Sequence, residues 1–231
     1  MFSYYGCKSR LSAYYPKPLE DTIIEPFAGS ARYSLLYFWK NIILYDIDKK
    51  VIGLWEYLKS VSERDILSFT KPNIGTDLRL YSKELSEPEL FLLRTICQRG
   101  AGNGYVVSKW GHDDFDNSIK RLSKNLHKIR HWNILNGSYE QVPNQKATWF
   151  IDPPYMNGGK RYKHHQIDYN HLSEWCKDRR GQTIVCENGQ AEWLPFSPIK
   201  KMVTIKNTIR VESVWTNISI DKNGQYGLHF L

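Results

Sequence analysis

The chain has 231 residues, enough for one large domain or one domain carrying an insertion, so its core needs no disulfide or metal staples and a disulfide-stapled miniprotein is excluded. Hydrophobic residues make up 41% and charged residues 24%, and apolar runs such as Ile42-Ile43-Leu44 fall far short of the ~20 residues of a membrane-spanning helix. Thirty-two Lys and Arg against twenty-four Asp and Glu give a formal charge of +8 and a pI near 9.2, a surface field that attracts polyanions, nucleic acid first, although a merely soluble basic protein has the same balance.

The start, Met1-Phe2-Ser3-Tyr4-Tyr5-Gly6, lacks a basic region followed by an apolar one, so no secretory signal is expected. Cys7, Cys97, Cys176 and Cys186 are scattered, with no Cys-x-x-Cys pair and no histidine at zinc-ligand spacing. They read as reduced thiols of a cytoplasmic protein that binds no metal. The aromatic share of 14% suits base stacking and core packing equally well.

Thr22 to Ile24 reads as a short buried strand, Glu25-Pro26-Phe27-Ala28-Gly29-Ser30 as a turn, and Tyr33 to Trp39 as a helix. Asn41 to Leu44 is a second strand, ending at Tyr45-Asp46-Ile47-Asp48. Val51, Leu54, Trp55 and Leu58 then follow the i, i+3, i+4, i+7 spacing of one helix face. From about 61 to 130 the pattern turns helical. Ser86, Pro88 and Glu89 read as a capping box opening a helix through Leu90, Leu93 and Cys97, which Arg99 to Gly104 ends. That glycine-rich stretch follows a helix, so it reads either as a DNA-contacting loop or as an ordinary turn. Ile119, Leu122, Leu126 and Ile129 form another apolar face, with Lys120, Lys124 and Lys128 along a second. Strand signals return at Trp132 to Leu135, Ala147 to Ile151, Thr183 to Cys186, Met202 to Ile205 and Ser213 to Ile220, with a helix at about Asn170 to Lys177. The expectation is an α/β fold with six or seven strands and a mainly helical insertion.

A turn of small residues between strand and helix lets a ligand approach the backbone, and Asp46, seventeen residues after Gly29, ends the next strand, where a carboxylate can accept hydrogen bonds from ribose hydroxyls. Together they specify a nucleoside-containing cofactor. In Asp152-Pro153-Pro154-Tyr155, two prolines remove two backbone donors and stiffen the turn, so a strand-end carboxylate and a neighbouring carbonyl become fixed acceptors beside an aromatic ring. That arrangement receives a planar amino group. Lys160, Arg161, Tyr162 and Lys163 follow closely, readable as a phosphate-contacting loop with a second aromatic wall, or as a solvated charge run. His164 and His165 have no carboxylate or cysteine at ligand spacing.

The ordered set Tyr4-Tyr5-Gly6-Cys7-Lys8, Glu25-Pro26-Phe27-Ala28-Gly29-Ser30, Tyr45-Asp46-Ile47-Asp48 and Asp152-Pro153-Pro154-Tyr155 resembles the Dam-like DNA adenine N6-methyltransferases over nearly the whole chain. The resemblance implies a Rossmann-like S-adenosylmethionine-dependent methyltransferase fold, with residues 1–60 and 131–231 catalytic and 61–130 an inserted, mainly helical target-recognition region. It implies that S-adenosyl-L-methionine meets Tyr4, Tyr5, Gly6, Lys8, Glu25, Pro26, Phe27, Ala28, Gly29, Ser30, Asp46, Ile47 and Asp152, while Asp152, Pro153, Pro154 and Tyr155 handle an adenine flipped from double-stranded DNA. Lys120, Lys124, Lys128, Lys160, Arg161, Tyr162 and Lys163 are the expected nucleic-acid contacts. A monomer or weak dimer in a bacterial cell or phage-infected host is implied, with room for a cognate restriction endonuclease as partner.

The chain departs from the family at Ala31, where glycine is usual, and at Tyr4 and Cys7, where tryptophan and glycine are usual. The alanine is expected to alter cofactor affinity more than abolish it. The same turn would also serve an adenine methyltransferase acting on ribosomal RNA, or a catalytically silent DNA-binding module. If Tyr155 acts by stacking alone, a phenylalanine in its place keeps most activity and an alanine does not.

Overall fold

Runs such as Thr22-Ile23-Ile24 and Ala147 to Ile151 are apolar at every position, the pattern of strands buried on both faces. The computed structural model describes residues 2, 11–98, 104–158, 163–203, 209–220 and 226–228, and in it both faces are covered. Strands β1 (Thr22–Glu25), β2 (Asn41–Asp46), β3 (Asn133–Asn136), β4 (Ala147–Ile151), β5 (Gly181–Asn188), β6 (Ser197–Val203) and β7 (Ile209–Thr216) form one sheet in the order β3-β2-β1-β4-β5-β7-β6. The first five are parallel, while β7 runs antiparallel to both β5 and β6. This is a Rossmann-like α/β fold, a mostly parallel sheet with an antiparallel strand near one edge and helices on both faces.

Period-two alternation sorts the strand residues between two cores. Ile23, Ile42, Leu44, Phe150, Ile184 and Val214 join the helices α1 (Arg32–Leu36) and α2 (Lys49–Ser60) on one face. Ile24, Trp149, Ile151, Val185 and Trp215 pack on the other against α7 (Tyr169–Lys177) through Leu172 and Trp175. Val51, Leu54, Trp55 and Leu58 are fully buried, the face their spacing predicts.

Between α2 and β3 the chain is helical: α3 (Glu63–Leu67), α4 (Glu87–Cys97), α5 (Lys109–Asp113) and α6 (Phe115–Ser123), with short 3-10 turns. Its apolar residues Ile66, Leu78, Leu92, Cys97 and Phe115 belong to the same buried cluster as Trp55 and Ile42. At the start of α4 the Ser86 N–H donates to Glu89 Oε2 at 2.8 Å, the backward half of the expected capping box.

Three expectations change in detail. The helix read over Tyr33 to Trp39 stops after Leu36, and the run Ser213 to Ile220 divides at Asn217 into β7 and β8 (Ile218–Ile220), which pairs with β9 (Tyr226–Leu228). The helix carrying Ile119 to Ile129 ends at Ser123 and resumes as a 3-10 turn over Leu126–Ile129. All four apolar residues stay buried, but Lys128 leaves the face of Lys120 and Lys124 and lies over the Phe38 ring at 4.9 Å. Within the described residues, no helix is long and apolar enough to cross a membrane.

Candidate functional site: a cleft at the carboxyl ends of the parallel strands

Parallel strands end on the same edge of a sheet, so the loops after β1, β2, β3 and β4 converge whatever their separation in sequence. Those after β1, β2 and β4 border an open cleft whose lining includes Glu25, Phe27, Ala28, Gly29, Ser30, Asp46, Ile47, Asp152 and Pro154. Pro26 lines a second cleft of about 1090 Å³ that adjoins the first and shares Phe27, Ile47, Lys163 and His164 with it. Pro153 is buried and Tyr155 half-buried beside Asp152. Tyr4, Tyr5, Gly6, Cys7 and Lys8, and Lys160, Arg161 and Tyr162, lie outside the described residues, as do Gly100 to Asn103.

Backbone geometry holds the glycine turn open. Gly29 adopts φ +45°, the Trp55 indole donates to its carbonyl at 2.8 Å, and the Ala28 N–H donates to the Tyr45 carbonyl at 2.9 Å. Ala31 stands at the N-cap of α1 with φ +43° and ψ +47°, a left-handed conformation in which its Cβ crowds the carbonyl. This is the position where the resemblance leads one to expect glycine, and the backbone explains why. Ala31→Gly removes a left-handed cost of about 1–2 kcal/mol and adds about 0.4–1 kcal/mol of chain entropy, so stabilisation by roughly 0.5–1 kcal/mol is expected. A lower denaturation midpoint for the glycine variant would refute that account of the strain.

Asp46 spends one acceptor site on each of two backbone donors: Gly29 N–H on Oδ2 and Asp48 N–H on Oδ1, both at 2.9 Å. Burial pushes its pKa up to about 6 against the pull of those N–H groups and of nearby His164. A carboxylate so poorly solvated gains from further hydroxyl donors, which is what a ribose diol supplies. Its own carbonyl accepts from Gly137 N–H and Asn136 Nδ2, tying the ends of β2 and β3 together.

Glu25 lies at the cleft floor, 2% exposed, and accepts the Ser34 N–H at 2.8 Å. Burial raises its pKa to about 8, against the Ser34 hydrogen bonds and with a smaller push from Asp152, so at neutral pH it carries a proton. A pKa above the unfolded value of 4.5 means that this group's contribution to stability declines as pH rises from about 4.5 to about 8. Phe27 stacks on Tyr139 with centroids 5.4 Å apart, and the Tyr139 hydroxyl lies 2.8 Å from His171 Nδ1.

Gly137, Ser138, Tyr139 and Glu140 line the adjoining cleft, yet sequence reading gave them no role. The usable signal was positional: they follow the third parallel strand, as Asp46 follows the second. Glu187 and Glu212, both buried beside residues 155 and 156, were missed as well, since isolated acids inside apolar strands announce nothing.

The expected nucleic-acid lysines separate by location. Lys163 is exposed at the mouth of both clefts. Lys120 and Lys124 are also exposed, and the chain that follows them, Lys128 to His131, packs at the opposite edge of the sheet. There Lys128 covers Phe38, His131 Nε2 lies 3.1 Å from the Lys40 carbonyl just before β2, and Arg130 donates to carbonyls in the last turn of α2 and to that of its C-cap Val61 at 2.5 Å. Five strand steps separate that edge from Asp46, roughly 16 Å. The helical segment instead meets the start of α2 at Lys50, which lies two residues after the cleft-lining Asp48, bonds Glu87 at 2.9 Å and feels Tyr105. Tyr105 is flanked by the guanidinium groups of Arg79 and Arg94 at 5.6 and 5.3 Å.

No family model and no curated protein matches the chain. Among solved structures, it is similar to a chain described as a methyltransferase from Escherichia coli, at 11% identity and TM-score 0.34, covering 83% of this chain and 74% of that one. It is also similar to one described as a methylase from Haemophilus influenzae, at 13% identity and TM-score 0.37, covering 90% and 84%. A third is an rRNA methyltransferase from Streptomyces viridochromogenes, at 13% identity and TM-score 0.37, covering 89% and 80%. At these scores the likeness adds no argument about chemistry beyond the strand order itself.

Proposed function

We propose that the protein is an S-adenosyl-L-methionine-dependent methyltransferase acting on the exocyclic amino group of adenine in duplex DNA. The observation that carries this reading is the position of Asp152-Pro153-Pro154-Tyr155 at the end of β4, opening onto the same cleft as the Glu25 to Ser30 turn and Asp46. The cleft suits a nucleoside cofactor: glycine-turn backbone lies on one side, and an under-solvated carboxylate on the other. Asp46 would hold the ribose, Phe27 and Tyr139 the base, and the Gly29 turn the amino-acid tail.

When bound, the cofactor supplies an electrophilic methyl group on a sulfonium. The adenine amino nitrogen is a weak nucleophile because its lone pair is delocalised into the ring. The Asp152 carboxylate and the Pro153 carbonyl would accept hydrogen bonds from its two N–H groups, draw it toward tetrahedral geometry and orient its lone pair, and the Asp152 carboxylate would take up the one proton that methylation releases and pass it to solvent. Tyr169 donates to the Pro154 carbonyl at 2.5 Å, which further stiffens the turn. Tyr155 offers a ring face to a base removed from its stack, worth ~1–3 kcal/mol by the measure of single-strand binders.

Incubation with methyl-labelled cofactor and duplex DNA, followed by nucleoside analysis, should yield N6-methyladenine. Label appearing only in RNA would move the substrate to the ribosomal alternative, and cofactor binding without transfer would favour the silent module.

Two variants probe the parts. Asp46→Ala should weaken cofactor binding by about 1–2 kcal/mol, read by calorimetric titration. Binding stabilises the ionised form, so parental affinity should hold above pH 6 and decline as pH falls through about 6. Asp46→Asn should lose that pH dependence, and a parental profile in Asp46→Asn would take Asp46 out of the site. For DNA, Lys163→Gln should flatten the log–log salt dependence of binding by about one unit, whereas Lys124→Gln, at the far edge, should leave it unchanged. An unchanged slope with weaker cofactor binding would reassign Lys163 to the cofactor.

A further inference from the structure

Two strands that carry none of the recognised motifs each place a buried carboxylate against the turn that follows Asp152. Glu212 on β7 is 4% exposed, and its Oε1 accepts hydrogen bonds from two phenols, Tyr155 at 2.5 Å and Tyr15 at 2.6 Å. Glu187 on β5 is fully buried, and its Oε2 accepts the Met156 N–H at 3.1 Å and the Trp193 indole N–H at 3.0 Å. Asn188, next in β5 and paired with Glu212 across the sheet, donates to the Asn157 carbonyl at 2.9 Å. Residues 155, 156 and 157 are thus held in succession by the carboxyl end of β5 and its antiparallel neighbour.

We propose that Glu212 and Glu187 are positioning residues, a two-carboxylate clamp that sets the orientation of the Tyr155 ring and the path of the chain after Asp152-Pro153-Pro154. The proposal rests on the reading of that turn as the target-base site. Burying two carboxylates is costly, and well-packed apolar residues would serve stability as well or better. Their donors are not generic, because the side chain of Tyr155 and the backbone of Met156 belong to the segment whose placement decides where a base can lie. Burial drives the Tyr155 and Tyr15 phenols well above their ordinary pKa, with nearby acids adding to it, so both stay protonated donors across the working pH range. A hydroxyl engaged in this way gives Tyr155 a role besides its ring face, so the clamp reverses the expectation that phenylalanine keeps most activity.

Single-turnover methylation at saturating cofactor tests the clamp, with Tyr155→Phe, Glu212→Gln, their double variant and Glu187→Gln. Each single change should slow transfer by roughly tenfold to a hundredfold, the usual consequence of a small misplacement of reacting groups. Cofactor affinity should stay within about twofold of the parent, and the double variant should be no slower than the worse single one. A parental rate in Tyr155→Phe, or additive losses in the double variant, overturns the clamp.

A second readout needs no substrate. In proton NMR, downfield, slowly exchanging hydroxyl protons should disappear with Tyr155→Phe and Tyr15→Phe and move upfield with Glu212→Gln, while Met156 N–H protection should fall in Glu187→Gln. Absence of these signals from the parent also overturns the clamp. Their presence in a protein that methylates no nucleic acid would uphold the clamp's geometry while removing the proposed function.

Discussion

Replacing Asp152 with alanine is expected to reduce single-turnover methyl transfer on the order of 10²–10³-fold, the cost of losing one preorganised group in a closed site. The carboxylate is the turn's only charged acceptor for the amino hydrogens, and neither proline can substitute for it. Duplex binding should survive, because phosphate contacts dominate nucleic-acid affinity and an anionic carboxylate does not supply them. Cofactor affinity is expected to move too, since Asp152 lines the cleft, so the rate must be read at saturation. The substitution also carries a signature away from the substrate. The Asp152 charge is one of the influences raising the Glu25 pKa, so its removal should lower that value, measurable as a shift in the Glu25 carboxyl titration. A variant that transfers methyl groups at the parental rate would remove the turn from the chemistry altogether.

The largest expected effect on stability comes from Gly111→Ala, far from any motif. Gly111 lies in α5 where that helix meets the end of α4, and a Cβ built there overlaps the Cys97 carbonyl group. That carbonyl already accepts the Ser108 N–H at 3.1 Å and the Ser108 hydroxyl at 2.8 Å, so it cannot move without breaking both. Overpacking against fixed backbone is expected to cost about 3 kcal/mol, the upper end of its usual range. Cys97 belongs to the cluster that contains Trp55 and Ile42, so the loss should appear in the single global unfolding transition. A separate, earlier transition of the helical segment would show instead that residues 61–130 unfold on their own.

The start of α2 gives the helical segment a different point of contact from the one its lysine spacing suggested. Regular i, i+4 spacing predicts a shared face only while the helix continues, and α6 ends at Ser123. Beyond it Lys128 and Arg130 are absorbed by Phe38 and by the end of α2. Tyr105, with Arg79 and Arg94 beside its ring, lies instead near Lys50 at the start of α2.

Local patterns were enough to read the two leading βα units, the Glu25 to Ser30 turn, Asp46 at a strand end and Asp152-Pro153-Pro154-Tyr155 after an apolar strand. Each depends on neighbours within a few residues, where strand alternation, helix spacing and proline stereochemistry operate. The departure at Ala31 was visible too, although its meaning, a left-handed backbone, required coordinates. Tertiary structure alone decided that β1 lies between β2 and β4, bringing Asp46 and Asp152 to one cleft, and that Ser138 and Tyr139 line the cleft adjoining it. It also decided the bonds from Tyr155 to Glu212 and from Met156 to Glu187, across 57 and 31 positions. Contacts of that kind follow from strand order and register, and those are set by the fit of whole faces in a shared core, a property that no short stretch of this chain carries.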